Sequence, residues 1–344
     1  MRSVQFAFAA RVPGLDGHDE ASWYGSRSTM PRLFPSARNP EEFEDVRRDD
    51  ARLLPGVRAV CEELGLGDSE ATRFPDGSLP VYAVGDSLVL KLYPPYDLAE
   101  RDNETTVLRA IGERLAIPTP QVRAAGDLDG WGYLSMTRLH GEPLVAAWPR
   151  VAAADRLRLG TDLGATLAEL HAISDPELES VRVDWPDFLA RQRDTAVERQ
   201  ARHGLDPAWL AQIPDYLDGA ALMEPAADSL LHTEIMREHL LVQHGPIGWE
   251  FSGLFDVEPA MLGAAEYEFA SVGLFFSCGE SRVMRRVLLA YGYQEQQLGP
   301  ELQHRLMAYA LLHRYSNLPW WLDRLPPHHG ATTLQVLANL WWGT

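Results

Sequence analysis

Between Thr72 and Pro94 the apolar residues come in short runs separated by turn-forming residues. Residues 79–84 and 88–93 are β-type runs joined at Gly85-Asp86, which predicts a hairpin, and Phe74-Pro75-Asp76-Gly77-Ser78 predicts a tight connection just before it. The spacing then changes. Asp97 is placed to cap a helix carrying Leu108, Ile111 and Leu115 on one face, and that helix must end before Pro118-Thr119-Pro120. Two more strands are predicted at 121–125 and 132–137. Upstream, 55–66 reads as a short helix stopped at Gly65 and Gly67. Residues 1–50 are turn-rich and polar, with an acidic run at Glu41-Glu42-Phe43-Glu44-Asp45, and read as an extension packed on something else.

Beyond Gly141 the period is helical nearly to the end. Leu159, Leu163, Leu167 and Leu170 recur at steps of 4, 4 and 3, the mark of a buried stripe on a helix over 152–173. Further helices are predicted at 187–203, 207–217, 281–291 and 301–315. One β-like island, 230–255, interrupts them. No internal repeat is present. The pattern predicts an α+β, two-lobed chain: an extension (1–50), a lobe with a small mixed sheet (51–138) and a mainly helical lobe (139–344). A cleft between lobes is the default ligand site of such a plan.

Composition narrows the function. The chain has 344 residues, 46% of them hydrophobic and 23% charged, as in ordinary globular proteins. Its net charge of −18, without any basic block, argues against nucleic acid or an anionic membrane surface as partner. It would attract a cationic small molecule, although a solvated acidic surface explains the same charge. No stretch of about 18 apolar residues exists. The run Val4–Ala10 has the small-residue end of a cleavage site, but its apolar core is short and broken by Gln5, so a strand or packing segment is expected there. Cys61 and Cys278 form neither a C-x-x-C pair nor a metal spacing, which fits a reducing cytoplasm.

One count stands out: Lys91 is the only lysine, and arginine supplies the other 30 basic side chains. It lies on the apolar strand 88–93, where period two puts it on the face of Val89 and Tyr93. A compact ammonium can reach phosphate oxygens as a point charge; a chance survivor on a solvated face is the plainer reading. Glu104 or Glu100 on the next helix could hold it. The island places polar residues among apolar runs, with His232-Thr233-Glu234 and Glu238-His239 followed by Asp256-Val257-Glu258. Burying these groups is costly unless they have partners, as in a catalytic loop between core strands.

From about Thr72 onward these residues resemble the aminoglycoside phosphotransferase-like kinases, which share the protein-kinase fold. Lys91 resembles the strand lysine that binds nucleotide phosphates, and Glu104, in Asn103-Glu104-Thr105-Thr106-Val107-Leu108, its helical ion-pair partner. Residues 117–122 match the proline-spaced start of the next strand. Residues 133–144 match the base-holding hinge, with Met136 and Arg138 as candidate nucleotide contacts, and 75–81, with Ser78, matches a short phosphate-covering loop. Residues 163–171 resemble the helix before the variable substrate region. The island has the spacing of the family's H-x-D-x-x-x-x-N loop with other letters: His232 keeps the histidine, Glu234 stands for the catalytic aspartate, His239 for the metal-binding asparagine and Thr233 for the usual glycine. Asp256 takes the place of the metal-binding aspartate and Glu268 that of a later acid. With the Trp-rich end, the chain is similar to hygromycin-type antibiotic kinases.

The resemblance implies a kinase using ATP or GTP with Mg²⁺, or Mn²⁺ as the alternative. It would phosphorylate a hydroxyl of a small molecule such as an aminoglycoside or nucleoside antibiotic, conferring resistance, as a cytoplasmic monomer or homodimer. Glu and Asp have similar intrinsic pKa values, roughly 4.3 and 3.9, so the Glu234 carboxylate can serve in the same way. Its extra methylene moves it by about 1 Å, a displacement that can cost ~10²-fold unless the loop retreats. Imidazole suits softer ions than Mg²⁺, which makes His239 the poorest of the candidate ligands Asp256, His239 and Glu258. Glu258 would share a face with Asp256 if the segment is extended. Two rivals stand beside this reading: a catalytically impaired kinase fold that binds nucleotide without transfer, and a metalloenzyme built on His232, Glu234 and His239. The other histidines, including His328-His329, and the pairs Trp320-Trp321 and Trp341-Trp342 are expected to be structural or, for the histidines, exposed. Asp184, Asp187, Asp215, Asp218, Glu266 and Glu280 are candidates for an acceptor pocket.

Overall fold

The computed structural model describes residues 32–222, 228–325 and 330–343. The expectations for Val4–Ala10, for most of the 1–50 extension and for His328-His329 lie outside them. The described chain forms two compact units, 32–102 with 122–138, and 103–121 with 139–343.

The first unit begins with two helices. In α1 (Pro40–Val46), Asn39 caps the Glu42 amide, and in α2 (Asp50–Glu63), Asp49 caps that of Arg52. That second cap starts the helix five residues before the expected Pro55, which instead sits inside and forfeits one backbone hydrogen bond. The segment before α1 is part of this unit's core. Phe34 stacks on Trp131 at 5.4 Å, and the Trp131 Nε1–H donates to Pro35 O at 2.8 Å.

Strands β1 (Ala71–Arg73), β2 (Val81–Val84), β3 (Leu88–Tyr93), β4 (Val122–Leu128) and β5 (Trp131–Thr137) form an antiparallel sheet in the order β1-β2-β3-β5-β4. The expected β2–β3 hairpin turns at Gly85, whose φ of 59° most side chains would resist. Lys91 is paired with Val81 and Leu134 in the middle of the sheet. Its strand is buried on both faces: Leu90, Leu92 and Tyr93 are inaccessible and Lys91 itself is 5% exposed, so the solvated-face reading does not hold.

Helix α3 (Leu98–Ile111) passes from the first unit into the second and stops at Gly112, φ 53°, before it can include Leu115. Residues 103–121, expected in the first lobe, cluster with the second unit. Asn103 Nδ2 donates to Glu258 O and Ala260 O, and the Leu254 amide donates to Pro118 O.

After the short β6 (Glu142–Pro143) and α4 (Leu144–Ala147), the second unit is built on α5 (Ala153–His171). The predicted stripe Leu159, Leu163, Leu167 and Leu170 is buried to 1% or less, each side chain contributing about 1.5–3 kcal/mol. Next come α6 (Trp185–Arg202), α7 (Pro207–Leu210) and α8 (Ile213–Asp218); the single helix expected over 207–217 is two, because Asp206 caps the first turn and Pro214 opens a new one. The island contains β7 (Ser229–Leu231), β8 (Leu240–Gly245) and β9 (Gly248–Leu254), followed by β10 (Met261–Gly263). β7 pairs with β10, and β6, β8 and β9 form a second small sheet. Helix α9 (Glu268–Ser271) runs into a π-helical turn, Val272–Ser277, that ends at Cys278 with φ 50°. Helices α10 (Ser281–Tyr291), α11 (Pro300–Leu312), α12 (Leu318–Arg324) and α13 (Leu334–Trp341) complete it.

α5 and α10 approach closely because Gly164 leaves no room for a Cβ against the Val287 carbonyl. Trp321, Trp341 and Trp342 are core, and the Trp342 indole donates to Phe269 O. No described helix is long and apolar enough to cross a membrane.

Candidate active site

The segment 232–239 leaves β7 and enters β8, and its polar groups are knitted to the segment leaving β9. His232 is buried; its Nε2 lies 3.1 Å from Phe255 O and its Nδ1 3.3 Å from the Glu234 amide. Only a neutral ring with the proton on Nε2 satisfies both, and burial does push its pKa down. His239 Nδ1 lies 3.0 Å from Glu234 O, and its Nε2 3.1 Å from Asp256 Oδ2. The Phe255 amide closes the set by donating to His239 O at 3.2 Å. Glu234 is therefore pinned through its backbone on both sides, by His232 at its amide and by His239 at its carbonyl. A half-buried carboxylate on a fixed backbone can accept a hydrogen bond at a fixed place.

Beneath this loop lies Glu268, fully buried. Its Oε2 accepts the amides of His232 at 2.6 Å and Thr233 at 3.2 Å, with His171 Nε2 at 3.7 Å. Burial alone would raise its pKa; His171, His232 and the Thr233 amide outweigh burial and hold it below the carboxylate range. Thr233, at the expected glycine position, has φ 70°, a conformation that a β-branched residue adopts only when its surroundings impose it. They do: Thr233 Oγ1 donates to Pro259 O, its amide is bound to Glu268, and its carbonyl lies 3.0 Å from His313 Nε2.

His313 is buried and stacked on Tyr267 at 4.9 Å, and burial lowers its pKa to about 4. This is a depressed base, so the stability it contributes is complete above its unfolded pKa of about 6.5 and is lost as pH falls toward 4. Urea unfolding at pH 7 and pH 5 should show wild type losing about 2 kcal/mol more than His313→Gln over that interval. Equal pH sensitivity in the two proteins would show that His313 is not held neutral.

Asp256 also has positive φ, 72°. Glu258 thus reaches its neighbour through a turn and not through the extended backbone expected. Oxygens of Glu104, Asp256 and Glu258 all lie within 4.8 Å of one another, and Glu104 is 1% exposed. An all-oxygen set of this kind suits a hard divalent cation. His239, the poorest of the candidate ligands, is not one of these three. Burial opposes its charge, but the Asp256 carboxylate and Glu234 raise its pKa to about 9, and its two ring nitrogens face Glu234 O and Asp256.

The acceptor candidates Asp184, Asp187, Asp215, Asp218, Glu266 and Glu280 lie in the second unit, where Asp184 caps α6 and Glu266 binds Arg305, whereas the other expected nucleotide contacts belong to the first unit. Lys91 Nζ is 5.7 Å from the centroid of the Tyr93 ring. Met136 is buried on β5, opposite Val89, and Ser78 is exposed in the β1–β2 connection. Arg138 Nη1 donates to Gly85 O at 3.2 Å and its guanidinium lies over Phe74 at 5.7 Å. Sequence reasoning did not find His313, whose signal is only an isolated histidine at the end of a helix.

Comparison with curated proteins yields no match. Among solved structures, the chain is similar to wild-type aminoglycoside 2'-phosphotransferase-IIIa bound to GDP, with a TM-score of 0.61 at 16% identity over 75% of this chain and 89% of that one. It is also similar to APH(2")-IIa in a ternary complex with streptomycin and ATP, at 0.56, 14%, 82% and 97%. A macrolide 2'-phosphotransferase from Brachybacterium faecium gives 0.55, 19%, 74% and 90%. These likenesses establish the two-lobed kinase-like fold. The model of one family, described as the phosphotransferase enzyme family, matches residues 70–306, a span that takes in Lys91, the knitted loop and Asp256. By that match, over more than half of its length, the chain belongs to the phosphotransferase enzyme family.

Proposed function

We propose that the protein is a small-molecule kinase that transfers the γ-phosphoryl group of ATP or GTP to a hydroxyl of an antibiotic, as a resistance enzyme of the cytoplasm. The observation that carries this reading is the clamped Glu234, fixed by two histidines on a loop that is itself tied to Asp256. Phosphoryl transfer asks the protein mainly for positioning and electrostatic stabilisation, and this loop supplies positioning. Glu234 accepts the hydrogen bond of the acceptor hydroxyl, aims its oxygen at phosphorus and takes the proton late. Lys91 contributes a point charge toward the nucleotide phosphates. Glu104, Asp256 and Glu258 would hold Mg²⁺ or Mn²⁺, which when bound neutralises phosphate charge. Similar folds bound to GDP, or to ATP with streptomycin, and the fold of a macrolide phosphotransferase support nucleotide donors and hydroxylated antibiotics as acceptors.

The test is a screen of γ-labelled ATP and GTP against aminoglycosides, macrolides and nucleoside antibiotics, with mass spectrometry for an added phosphate. In the same assay Lys91→Ala should raise the nucleotide KM or lower turnover by at least ~10-fold, the loss of a charge-assisted contact of roughly 1.5–3 kcal/mol. Unchanged kinetics would remove Lys91 from the nucleotide site. The engagement of His239 with Glu234 O and Asp256 favours a second reading, a protein that binds nucleotide without transferring phosphate. Nucleotide binding with no labelled product from any acceptor would select it.

A further inference from the structure

Arg237 sits inside the loop, three residues after Glu234, yet its side chain leaves the loop for another part of the second unit. Its Nε donates to Phe276 O at 2.7 Å, and its Nη2 lies 3.4 Å from both Ser277 O and Glu280 Oε1. The guanidinium covers the Trp148 ring, with Cζ 3.8 Å from the centroid, and the side chain is only 13% exposed. Trp148 is held in turn: its Nε1–H donates to Glu280 Oε1 at 2.7 Å, and Arg156 lies over the same ring at 4.9 Å while binding both Glu280 oxygens.

These contacts have a structural reason. Phe276 and Ser277 end the π-helical turn, where carbonyls lose their helical partners because the chain reverses at Cys278 in a left-handed conformation. A guanidinium can serve two carbonyls, a carboxylate and an aromatic face together, since it is planar and carries five donors; an ammonium cannot. The loop is already fixed at its start by Glu268 and at its end by His239, which leaves its centre to Arg237.

We propose that Arg237 is a positioning residue: by anchoring the middle of the loop to the end of the π-helical turn and to the Trp148–Glu280 pair, it sets where the Glu234 carboxylate stands. The assignment rests on the reading of Glu234 above.

Hydrogen exchange of the full chain, wild type against Arg237→Ala, tests the anchor directly. Amides of 232–239 and 272–278 should exchange about tenfold faster or more, with those of β3 unchanged. Release of phosphate from ATP and GTP should show kcat reduced with nucleotide KM unchanged, and millimolar guanidinium ion should restore part of the rate. Arg237→Lys, the variant for use if the alanine form does not fold, should exchange faster than wild type across the same amides. Wild-type exchange in 232–239 in the folded variant overturns the proposal. So does a full rate in Arg237→Ala when Glu234→Gln is inactive. Full activity of Glu234→Gln would overturn the functional reading instead, while the exchange result would still decide the anchor.

Discussion

Replacing Asp256 with asparagine is expected to lower phosphoryl transfer by a factor on the order of 10²–10³ while leaving the fold intact, the scale seen when one preorganised electrostatic group is removed. The two halves of that expectation have separate causes. Asn tolerates the left-handed backbone that Asp256 adopts at φ 72°, and its side-chain amide, which both donates and accepts, can still bond His239 Nε2, so the turn and the knitted loop persist. What disappears is one full negative charge among the Glu104, Asp256 and Glu258 oxygens. Calorimetric titration with Mg²⁺ and Mn²⁺ should therefore show weaker binding by Asp256→Asn, alongside the kinetic loss and a native circular-dichroism spectrum. Full turnover with unchanged cation affinity would mean that the cation is held elsewhere.

Much of this arrangement could be read along the chain, and the reasons differ by element. The α5 stripe and the β2–β3 hairpin were legible because their periodicities are local, and a helix of 19 residues leaves little room for another reading. The importance of Lys91 was visible in its uniqueness, though only the sheet shows that both faces of its strand are buried. Spacing singled out His232, Glu234, His239 and Asp256 but not the way the His239 ring faces Glu234 O and Asp256. Spacing records where a residue stands in a motif, whereas the direction of an imidazole depends on which oxygens surround it. The contacts of Arg237 were illegible for a stronger reason: they join residues 148, 237, 276 and 280, and no local pattern links a tryptophan to an arginine nearly ninety positions away. The early start of α2 turned on one aspartate cap outweighing a proline, two effects of opposite sign that sequence alone does not rank.

The most informative substitutions are those that separate the charge of Glu234 from its reach. Glu234→Gln keeps the length and removes the charge; kcat should fall by ~10²–10⁴, the usual contribution of a positioned general base, with nucleotide KM changed little. Glu234→Asp keeps the charge and withdraws it by about 1 Å, at a cost of up to ~10². That cost should be met nearly in full, because the backbone cannot follow the shorter side chain: its amide is bound to His232 Nδ1, its carbonyl to His239 Nδ1, and the preceding residue to Glu268, Pro259 and His313. The double variant Glu234→Asp with Thr233→Gly loosens this restraint, since glycine accepts φ 70° without strain and lacks the hydroxyl that bonds Pro259 O. It should therefore recover part of the rate lost by the single change. If Glu234→Asp alone matches or exceeds wild type, the loop retreats freely, and the clamp by two histidines does not set the position of the carboxylate.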